Sequence, residues 1–344
     1  TLHGGTDPKT GYHFVDLEKR AEDCGSVREL MELYKQTLDY FMGLQVETEH
    51  INDEIHIQQD INAFRSSLVY DCIERAMDLV EGGSVYSADG GPTAGTISAG
   101  DSLAALDEIV FNQKLLTMEQ VLHAMSTNYE DMETVPAGPE IRAILLNKAP
   151  KFGNDDERAD KWVVELEDYI GSSYRYKYRS SKYGKGPVPC CYSYSQSPVT
   201  GNIAFGKSIG ATPDGRKAGQ PVNNGISPAN GSEKKGATAA CNSVMKLPSI
   251  WFQKGAIFNM RLSKGALDTD ENKEKVIAMI KVLFENYGQQ IQFNVVDNKV
   301  FKKAMEHPDE YKDLMVRVSG YSALFTSLSP ECQMDVINRA ELEL

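Results

Sequence analysis

The chain has 344 residues, of which 49 are acidic and 36 basic, so its formal net charge at pH 7 is −13. This excess of negative charge disfavours a nucleic-acid partner, because binding to a phosphate backbone depends on positive charge. No apolar run approaches the ~18 residues that a membrane-spanning helix needs, so we expect no membrane association.

Six cysteines are scattered along the chain, with neither a CxxC pair nor the spacing of a small disulfide framework. Free thiols are typical of a reducing compartment, so this pattern predicts a cytoplasmic protein. The opening residues, "TLHGG", contain neither an initiator methionine nor a signal peptide. We therefore expect the sequence to be a piece of a longer protein.

The first half of the chain carries amphipathic helical patterns. Ser26 and Glu29 form a capping box, and Leu30, Tyr34 and Leu38 then recur at helical spacing. These features predict a helix with one buried face over residues 26–41. The same reasoning predicts helices over 60–83, 101–111, 117–125 and 156–170.

The segment "EHINDEIH" gathers acidic and histidine side chains within one or two helical turns. His50, Asp53 and Glu54 can share a helix face, with Glu49 and His56 close by. The group lacks a convincing third or fourth ligand of the kind that a metal site needs. A solvated helix face explains the pattern better, so we predict no metal here.

The amino-acid composition changes between about residues 174 and 263, where Gly, Pro, Asn and Ser dominate and apolar runs are short. This composition predicts loops and brief strands. Loops of such length inside a compact protein are usually functional. A helix over 269–288, a strand at "QIQFNVV" and a short helix near 298–306 complete the α/β alternation.

The stretch "VRVSGYSALF", residues 316–325, reads as a buried strand with Gly320 at its centre. Glycine weakens a strand interior, so the ordinary explanation is a bulge, a bend or a close backbone approach. A chemical alternative exists, because glycine alone has two hydrogens on its α-carbon. Loss of one leaves a planar radical that the flanking amide nitrogen and carbonyl both stabilise.

Several motifs in the last 150 residues occur in a fixed order. They are "GATPDGRKAG", "SP-NG-EKKGATA-NSV-KLP", "QFNVVD", "HPDEYKDLMVRVSGY" and "Q-DVI-R". Together they resemble the glycyl radical enzyme family, which includes pyruvate formate-lyase, the glycerol and choline lyases, the arylacetate decarboxylases and the benzylsuccinate synthases. Long ordered matches carry far less risk of coincidence than one short motif.

The resemblance implies an α/β fold that is the C-terminal portion of a ten-stranded α/β barrel with surrounding helices. Residues 1–200 would form the C-terminal part of the pyruvate formate-lyase-like barrel domain, and residues 201–344 the glycine radical domain. The full enzyme is expected to be a homodimer.

The resemblance also assigns Gly320 as the catalytic radical site. No bound cofactor is implied, because the glycyl radical is a post-translational modification of Gly320. A radical activating enzyme, which uses an iron–sulfur cluster and S-adenosylmethionine, would remove one α-hydrogen. The neighbouring Arg317 is expected to be a structural anchor, with Val316, Val318, Leu324 and Phe325 as an apolar wall.

A second family feature, a cysteine that takes the radical from glycine and attacks substrate, is not matched here. No "GCxE" occurs, and Cys190 and Cys191 resemble the adjacent pair of pyruvate formate-lyase only superficially, because they lie too close to Gly320 in sequence. We expect the cysteine in an N-terminal part of the same enzyme, which leaves this chain catalytically incomplete. A free-standing replacement subunit is the alternative.

The implied activity is an anaerobic lyase or acyltransferase that cleaves or forms C–C, C–O or C–N bonds of a small organic substrate. A formate acetyltransferase and a fumarate-adding succinate synthase both stay open. A ribonucleotide reductase is excluded, because its zinc site needs four cysteines near the glycine and only Cys332 is close.

In several relatives a strand near "CYSYSQSP" contributes to the substrate pocket. Alternating side chains would place Cys191, Ser193 and Ser195 on one face and Tyr192, Tyr194 and Gln196 on the other. The candidates for orienting a substrate carboxylate or hydroxyl are Gln196, Ser193 and Tyr194.

Overall fold

The computed structural model describes residues 1–87, 89–182, 184–185, 188 and 192–342, and these are mostly helical. The helices of this part are α1 Val27–Gln59, α2 Ala63–Ser67, α3 Thr96–Ala105, α4 Met118–Ser126, α5 Gly138–Asn147, α6 Glu157–Ser172, α7 Gly201–Ser208, α8 Ala237–Met245, α9 Asp270–Glu285, α10 Asn298–Glu306 and α11 Pro330–Asn338. The strands are β1 Asn259–Arg261, β2 Gln292–Asn294, β3 Met315–Arg317 and β4 Ser322–Leu324.

Most of the predicted helices are confirmed. The Ser26 hydroxyl accepts a hydrogen bond from the Glu29 N–H and starts α1, which runs well past the predicted end. Helices α3, α4, α6, α9 and α10 lie where the apolar spacing predicts them, and α3 continues as a π-helix over Leu106–Asn112. Helices α5 and α11 were not predicted.

The predicted helix over 60–83 is wrong. Only the five residues of α2 are helical there, and turns follow. The buried Asp78 carboxylate accepts hydrogen bonds from the Ser66 hydroxyl and from the backbone N–H groups of Asn62 and Val80. Such local side-chain bonds compete with helical bonding, so the segment folds back on itself.

The stretch from 174 to 263 also differs from the expected loops and brief strands, because α7 and α8 lie within it. Helix α8 buries one face, which carries Ala240, Cys241 and Val244. Small side chains such as these allow close packing but give little helical signal in a Gly-rich sequence.

Several extended segments run side by side in parallel, whereas β3 and β4 pair antiparallel. Parallel bridges join Pro92 to Ser195 and Gln196 to Ala256, and β1 pairs in parallel with β2. Helices fill each intervening stretch of chain, as parallel pairing requires a long crossover. Helices and short parallel segments therefore alternate, as the α/β prediction requires.

Within the described residues, three apolar clusters form the core. The third holds the end of the chain and consists of Phe301, Ala304, Val316, Val318, Phe325, Val336 and Ile337. The rings of Phe301 and Phe325 lie 4.8 Å apart, so α10 packs directly against the residues that follow β4. None of the helices in the described ranges is both long enough and apolar enough to span a membrane.

Candidate functional site

Gly320 lies at the tip of a β-hairpin rather than inside a single buried strand. Strands β3 and β4 pair antiparallel, with Arg317 opposite Ser322, and the Val318 N–H closes the turn on the Tyr321 carbonyl at 2.9 Å. The φ of Gly320 is +79°, a value that side chains disfavour. The turn therefore favours glycine here, and the residue is exposed.

The expected apolar wall is only partly present. Val316, Val318 and Phe325 are buried in the third cluster, whereas Leu324 is 41% exposed. The difference follows from the hairpin, because the chain reverses at Gly320 and alternate side chains of β4 face outwards.

Asn294 and Arg339, which lie outside the hairpin, bind the backbone of Arg317 and Val318. The Asn294 amide accepts from the Arg317 N–H at 2.9 Å and donates to the Arg317 carbonyl at 2.7 Å, as a neighbouring strand would. The Arg339 guanidinium donates to the carbonyls of Arg317 and Val318 and forms an ion pair with Asp335 at 3.1 Å. The turn is thus fixed from β2 and from α11.

The Arg317 side chain confirms its predicted anchoring role. Its Nε donates to the Gln292 Oε1 at 3.2 Å, and its Nη1 donates to the Ser322 hydroxyl at 3.1 Å. The same Gln292 oxygen accepts the Gly320 N–H at 3.3 Å. Arg317 therefore links both strands of the hairpin to β2.

A cavity of about 420 Å³ opens beside Gly320. Its walls combine apolar and amide side chains, and a Cβ added to Gly320 would lie 3.0 Å from the Ile257 Cδ1. The lining residues are Ser197, Phe252, Gln253, Gly255, Ala256, Ile257, Gln289, Gln290 and Gly320. A small polar molecule fits this volume, and the Gly320 backbone borders it directly.

The predicted substrate residues lie on the extended segment that pairs with the cavity wall. The Gln196 N–H donates to the Gly255 carbonyl, and the Ile257 N–H donates to the Gln196 carbonyl. These bonds fix the segment beside Ile257. The Tyr194 and Gln196 side chains point away to a buried Glu167, at 2.6 and 2.8 Å. The Ser193 hydroxyl donates to the Asp89 carbonyl at 2.7 Å. Their role in substrate binding stays a prediction.

Ser197 is the residue of this segment that sequence reasoning missed. It continues the face of Ser193 and lines the cavity beside Gly320. Alternate residues of a strand share a face, so the face that carries Ser193 and Ser195 also carries Ser197, and this alternation is the signal for it.

Glu167 is a buried acid whose described hydrogen-bond partners are neutral. Burial raises its pKa to about 7, although the bonds from Tyr194 and Gln196 oppose this by favouring the carboxylate. Between pH ~4.5 and 7, the Glu167 carboxyl therefore keeps its proton in the folded state, whereas the unfolded chain has lost it. The free energy of unfolding therefore falls as the pH rises through this window.

Replacing Glu167 with Gln is expected to remove this pH dependence. At ~1.4 kcal/mol per pKa unit the full effect is roughly 3 kcal/mol, of which roughly 2 kcal/mol falls between pH 5 and 7. Urea denaturation at both pH values should show that the variant loses roughly 2 kcal/mol less than the parent over this interval. Glu306→Gln, at an exposed position of α10, is the matched control. Equal losses in parent and Glu167→Gln protein would contradict the assignment.

No cysteine of the described residues lines the cavity beside Gly320. Cys24, Cys72 and Cys241 are buried, and burial raises the pKa of the Cys241 thiol to about 12. The adjacent pair Cys190 and Cys191 lies outside the described residues.

Two side chains of "EHINDEIH", those of His50 and Asp53, bind other parts of the chain. The His50 Nε2 lies 2.8 Å from the Arg179 carbonyl, and Asp53 bonds to Ser181 and Lys182. In the part of the chain that the structure describes, no group of three or more His, Cys, Asp or Glu side chains is arranged to hold a metal ion.

Two family models match the chain. The model described as "Pyruvate formate lyase-like" matches residues 1–205, and the one described as "Glycine radical" matches residues 222–326, which include Gly320. The second match supports a glycyl radical as a post-translational modification of this domain.

Curated relatives resemble the chain along nearly its whole length. The probable dehydratase YbiW of Escherichia coli is 36% identical over 99% of the chain, and the trans-4-hydroxy-L-proline dehydratase of Clostridioides difficile is 32% identical over 99%. The chain spans only 42% and 41% of these two proteins.

Solved structures also resemble the chain along nearly its whole length, while the chain covers about two fifths of each. The B12-independent glycerol dehydratase from Clostridium butyricum superposes with a TM-score of 0.90 at 33% identity, over 99% of this chain and 41% of that one. The enzyme of 1,2-propanediol dehydration in Roseburia inulinivorans gives 0.91 at 34% identity, over 98% and 42%. That the chain is the C-terminal portion of a ten-stranded barrel stays a prediction. These neighbours share its mixed helix and strand fold, and the chain belongs to the glycyl radical enzyme family.

Proposed function

We propose that Gly320 stores the radical of a glycyl radical enzyme. The support is its place within the matched glycine radical region and its position at a hairpin tip that borders a cavity. Removal of one α-hydrogen atom breaks a single C–H bond and leaves the backbone otherwise intact. The resulting radical is stabilised by the two amide groups that flank the α-carbon.

We propose further that the enzyme catalyses a radical elimination, most simply a dehydration of a small hydroxylated molecule. The observation that carries this choice is the similarity of almost the whole chain to dehydratases at 36% and 32% identity. A cysteine thiyl radical would take a hydrogen atom from a substrate carbon, and the hydroxyl on the adjacent carbon would leave as water after gaining a proton. The hydroxyl or amino group on the radical carbon would release one proton in return, so the charge balances. The product radical would take the hydrogen atom back, so no external oxidant or reductant is consumed.

The attacking cysteine is proposed to come from an N-terminal part of the same enzyme. This fits the fact that the chain spans about two fifths of its relatives, and that the described cysteines lie away from the cavity. On this proposal the chain is the C-terminal portion of the ten-stranded barrel, with residues 1–200 in the barrel domain and 201–344 in the glycine radical domain. The other proposed partners are a radical activating enzyme and a second copy of the full enzyme.

We propose that the Ser197 hydroxyl and the side-chain amides of Gln253 and Gln290 face the substrate within the cavity. Ser193, Tyr194 and Gln196 would then shape the segment that carries Ser197 through their bonds to Asp89 and Glu167.

The test is made on the activated full-length enzyme. Its electron paramagnetic resonance spectrum should show a doublet from the one hydrogen left on Gly320, and enzyme grown with α-deuterated glycine should lose the splitting. Glycerol, 1,2-propanediol, trans-4-hydroxyproline and isethionate are then assayed for elimination. A glycyl radical with no elimination but with formate release from pyruvate and coenzyme A would favour the formate acetyltransferase alternative. Rescue of an oxygen-cleaved partner by this chain alone would favour the replacement subunit.

A further inference from the structure

A continuous line of buried side chains joins the Asp335 carboxylate to the Gly320 amide. We name this line, made of Asp335, Asn202, Asn224, Asn259 and Gln292, the amide relay. Each member is at most 7% exposed. They come from five separate places in the sequence, on α11, α7, the loop after Val222, β1 and β2.

Every link of the amide relay is a side-chain hydrogen bond that runs in one direction. The Asn202 Nδ2 donates to Asp335 at 3.1 Å, and the Asn224 Nδ2 donates to the Asn202 Oδ1 at 3.1 Å. The Asn259 Nδ2 donates to the Asn224 Oδ1 at 3.2 Å, and the Gln292 Nε2 donates to the Asn259 Oδ1. The Gly320 N–H then donates to the Gln292 Oε1 at 3.3 Å.

The direction of the amide relay follows from its first member. A carboxylate can only accept hydrogen bonds, whereas an amide side chain has one accepting and one donating end. Asp335, which is paired with Arg339, therefore binds the NH₂ group of the Asn202 side chain. The Asn202 oxygen is then left to accept a hydrogen bond from the next amide. The same constraint applies in turn to Asn224, Asn259 and Gln292, so the Gln292 oxygen faces Gly320.

We infer that the amide relay positions the Gln292 oxygen as the acceptor for the amide N–H of the radical glycine. This inference rests on the function proposed above for Gly320. Gln292 contacts the radical-bearing residue itself, and Asn202, Asn224 and Asn259 are positioning residues that act through it. An N–H that donates a hydrogen bond leaves more electron density on its nitrogen, and that nitrogen stabilises the radical centre.

The rest of the hairpin supports this arrangement. The Ser319 hydroxyl donates to the Asn224 Oδ1 at 2.7 Å, so the relay holds the turn at two successive residues. The Arg317 Nε donates to the same Gln292 oxygen as Gly320 does. The Gln290 Nε2 also donates to this oxygen, at 3.4 Å, so with the Gln292 amide reversed its NH₂ group would face three donors and three hydrogen bonds would be lost.

The first experiment measures amide hydrogen exchange at Gly320 in the full-length enzyme before activation, so that it does not depend on the radical. Gln292→Leu removes the acceptor and should speed exchange about fivefold to tenfold, the factor expected from one net hydrogen bond. Gln292→Glu keeps an acceptor and should stay near the parent rate. Asn259 forms none of the described hydrogen bonds of Gly320, and Asn259→Leu should also speed exchange because it frees Gln292 to turn.

The matched control is Gln333→Leu. Gln333 is another buried amide, and its Nε2 donates to the Phe325 carbonyl at the end of the same hairpin, outside the relay. Its replacement tests whether any lost amide bond loosens the turn. Exchange that changes equally in the Gln333→Leu and Gln292→Leu enzymes, or in neither, would overturn the inference.

The second experiment tests the effect on the radical. In activated enzyme exchanged into D₂O, electron–nuclear double resonance reports the deuterium quadrupole coupling of the Gly320 N–D, which rises when the hydrogen bond is lost. We expect the rise in Gln292→Leu and two populations in Asp335→Asn, where the first member no longer imposes a direction. An unchanged coupling in both variants would overturn the inference, whereas absence of a glycyl radical in the parent enzyme would overturn only the proposed function.

Discussion

Replacing Gly320 with Ala is expected to abolish both the organic radical signal and all turnover of the activated full-length enzyme. The alanine α-carbon has only one hydrogen, and the added methyl group would lie 3.0 Å from the Ile257 Cδ1. A φ of +79° adds conformational strain of about 1 kcal/mol, so the turn that presents the α-carbon would also shift. Activity should fall to that of the unactivated enzyme, measured alongside the paramagnetic resonance spectrum.

The matched control is Gly219→Ala. Gly219 has the same φ of +79° and is also exposed, but nothing lies within 4 Å of an added Cβ. This variant therefore carries the backbone strain without the chemical change, and we expect a normal radical signal and normal turnover. A glycyl radical doublet of ordinary intensity in Gly320→Ala enzyme would show that the radical resides elsewhere.

Exposure of the activated enzyme to air is expected to break the backbone at Gly320. Dioxygen adds to carbon radicals, and the peroxyl group formed on the α-carbon leads to scission of the chain there. Gly320 is exposed at the hairpin tip in this chain, so the structure sets no barrier of its own to dioxygen. Mass spectrometry should find new fragments that end and begin at the Ser319/Gly320 position, in proportion to the radical content before exposure.

Two controls separate this cleavage from proteolysis. The sequence predicts a buried strand here, but Tyr321, Ser322 and Leu324 are exposed, so proteases can reach the hairpin. Unactivated protein kept in air, and activated protein kept without oxygen, should therefore both stay intact. Intact chains after air exposure of enzyme with a measured glycyl radical would contradict the assignment of the radical to Gly320.

The sequence by itself determines the elements whose signals are local. Helix α10 lies at residues 298–306 as predicted, and α4, α6 and α9 follow their apolar spacing, because a capping residue and one buried stripe suffice to specify a helix. The motifs around Gly320 likewise identify the family, since they are read directly from the residues. Local signals also mislead where a buried polar group intervenes, as Asp78 does between residues 60 and 83.

The tertiary structure alone decides how these elements make a site. Whether 316–325 is a strand or a hairpin depends on Asn294 and Arg339, which bind its backbone from other elements. The strand pattern at 193–197 leaves open which face meets the cavity, and only the pairing with Ile257 and the buried Glu167 selects the face of Ser197. The amide relay joins residues 133 positions apart, from Asn202 to Asp335, by bonds that exist only once the chain is folded. No periodicity or motif can encode such contacts, because an isolated amide carries no indication of which end faces its partner.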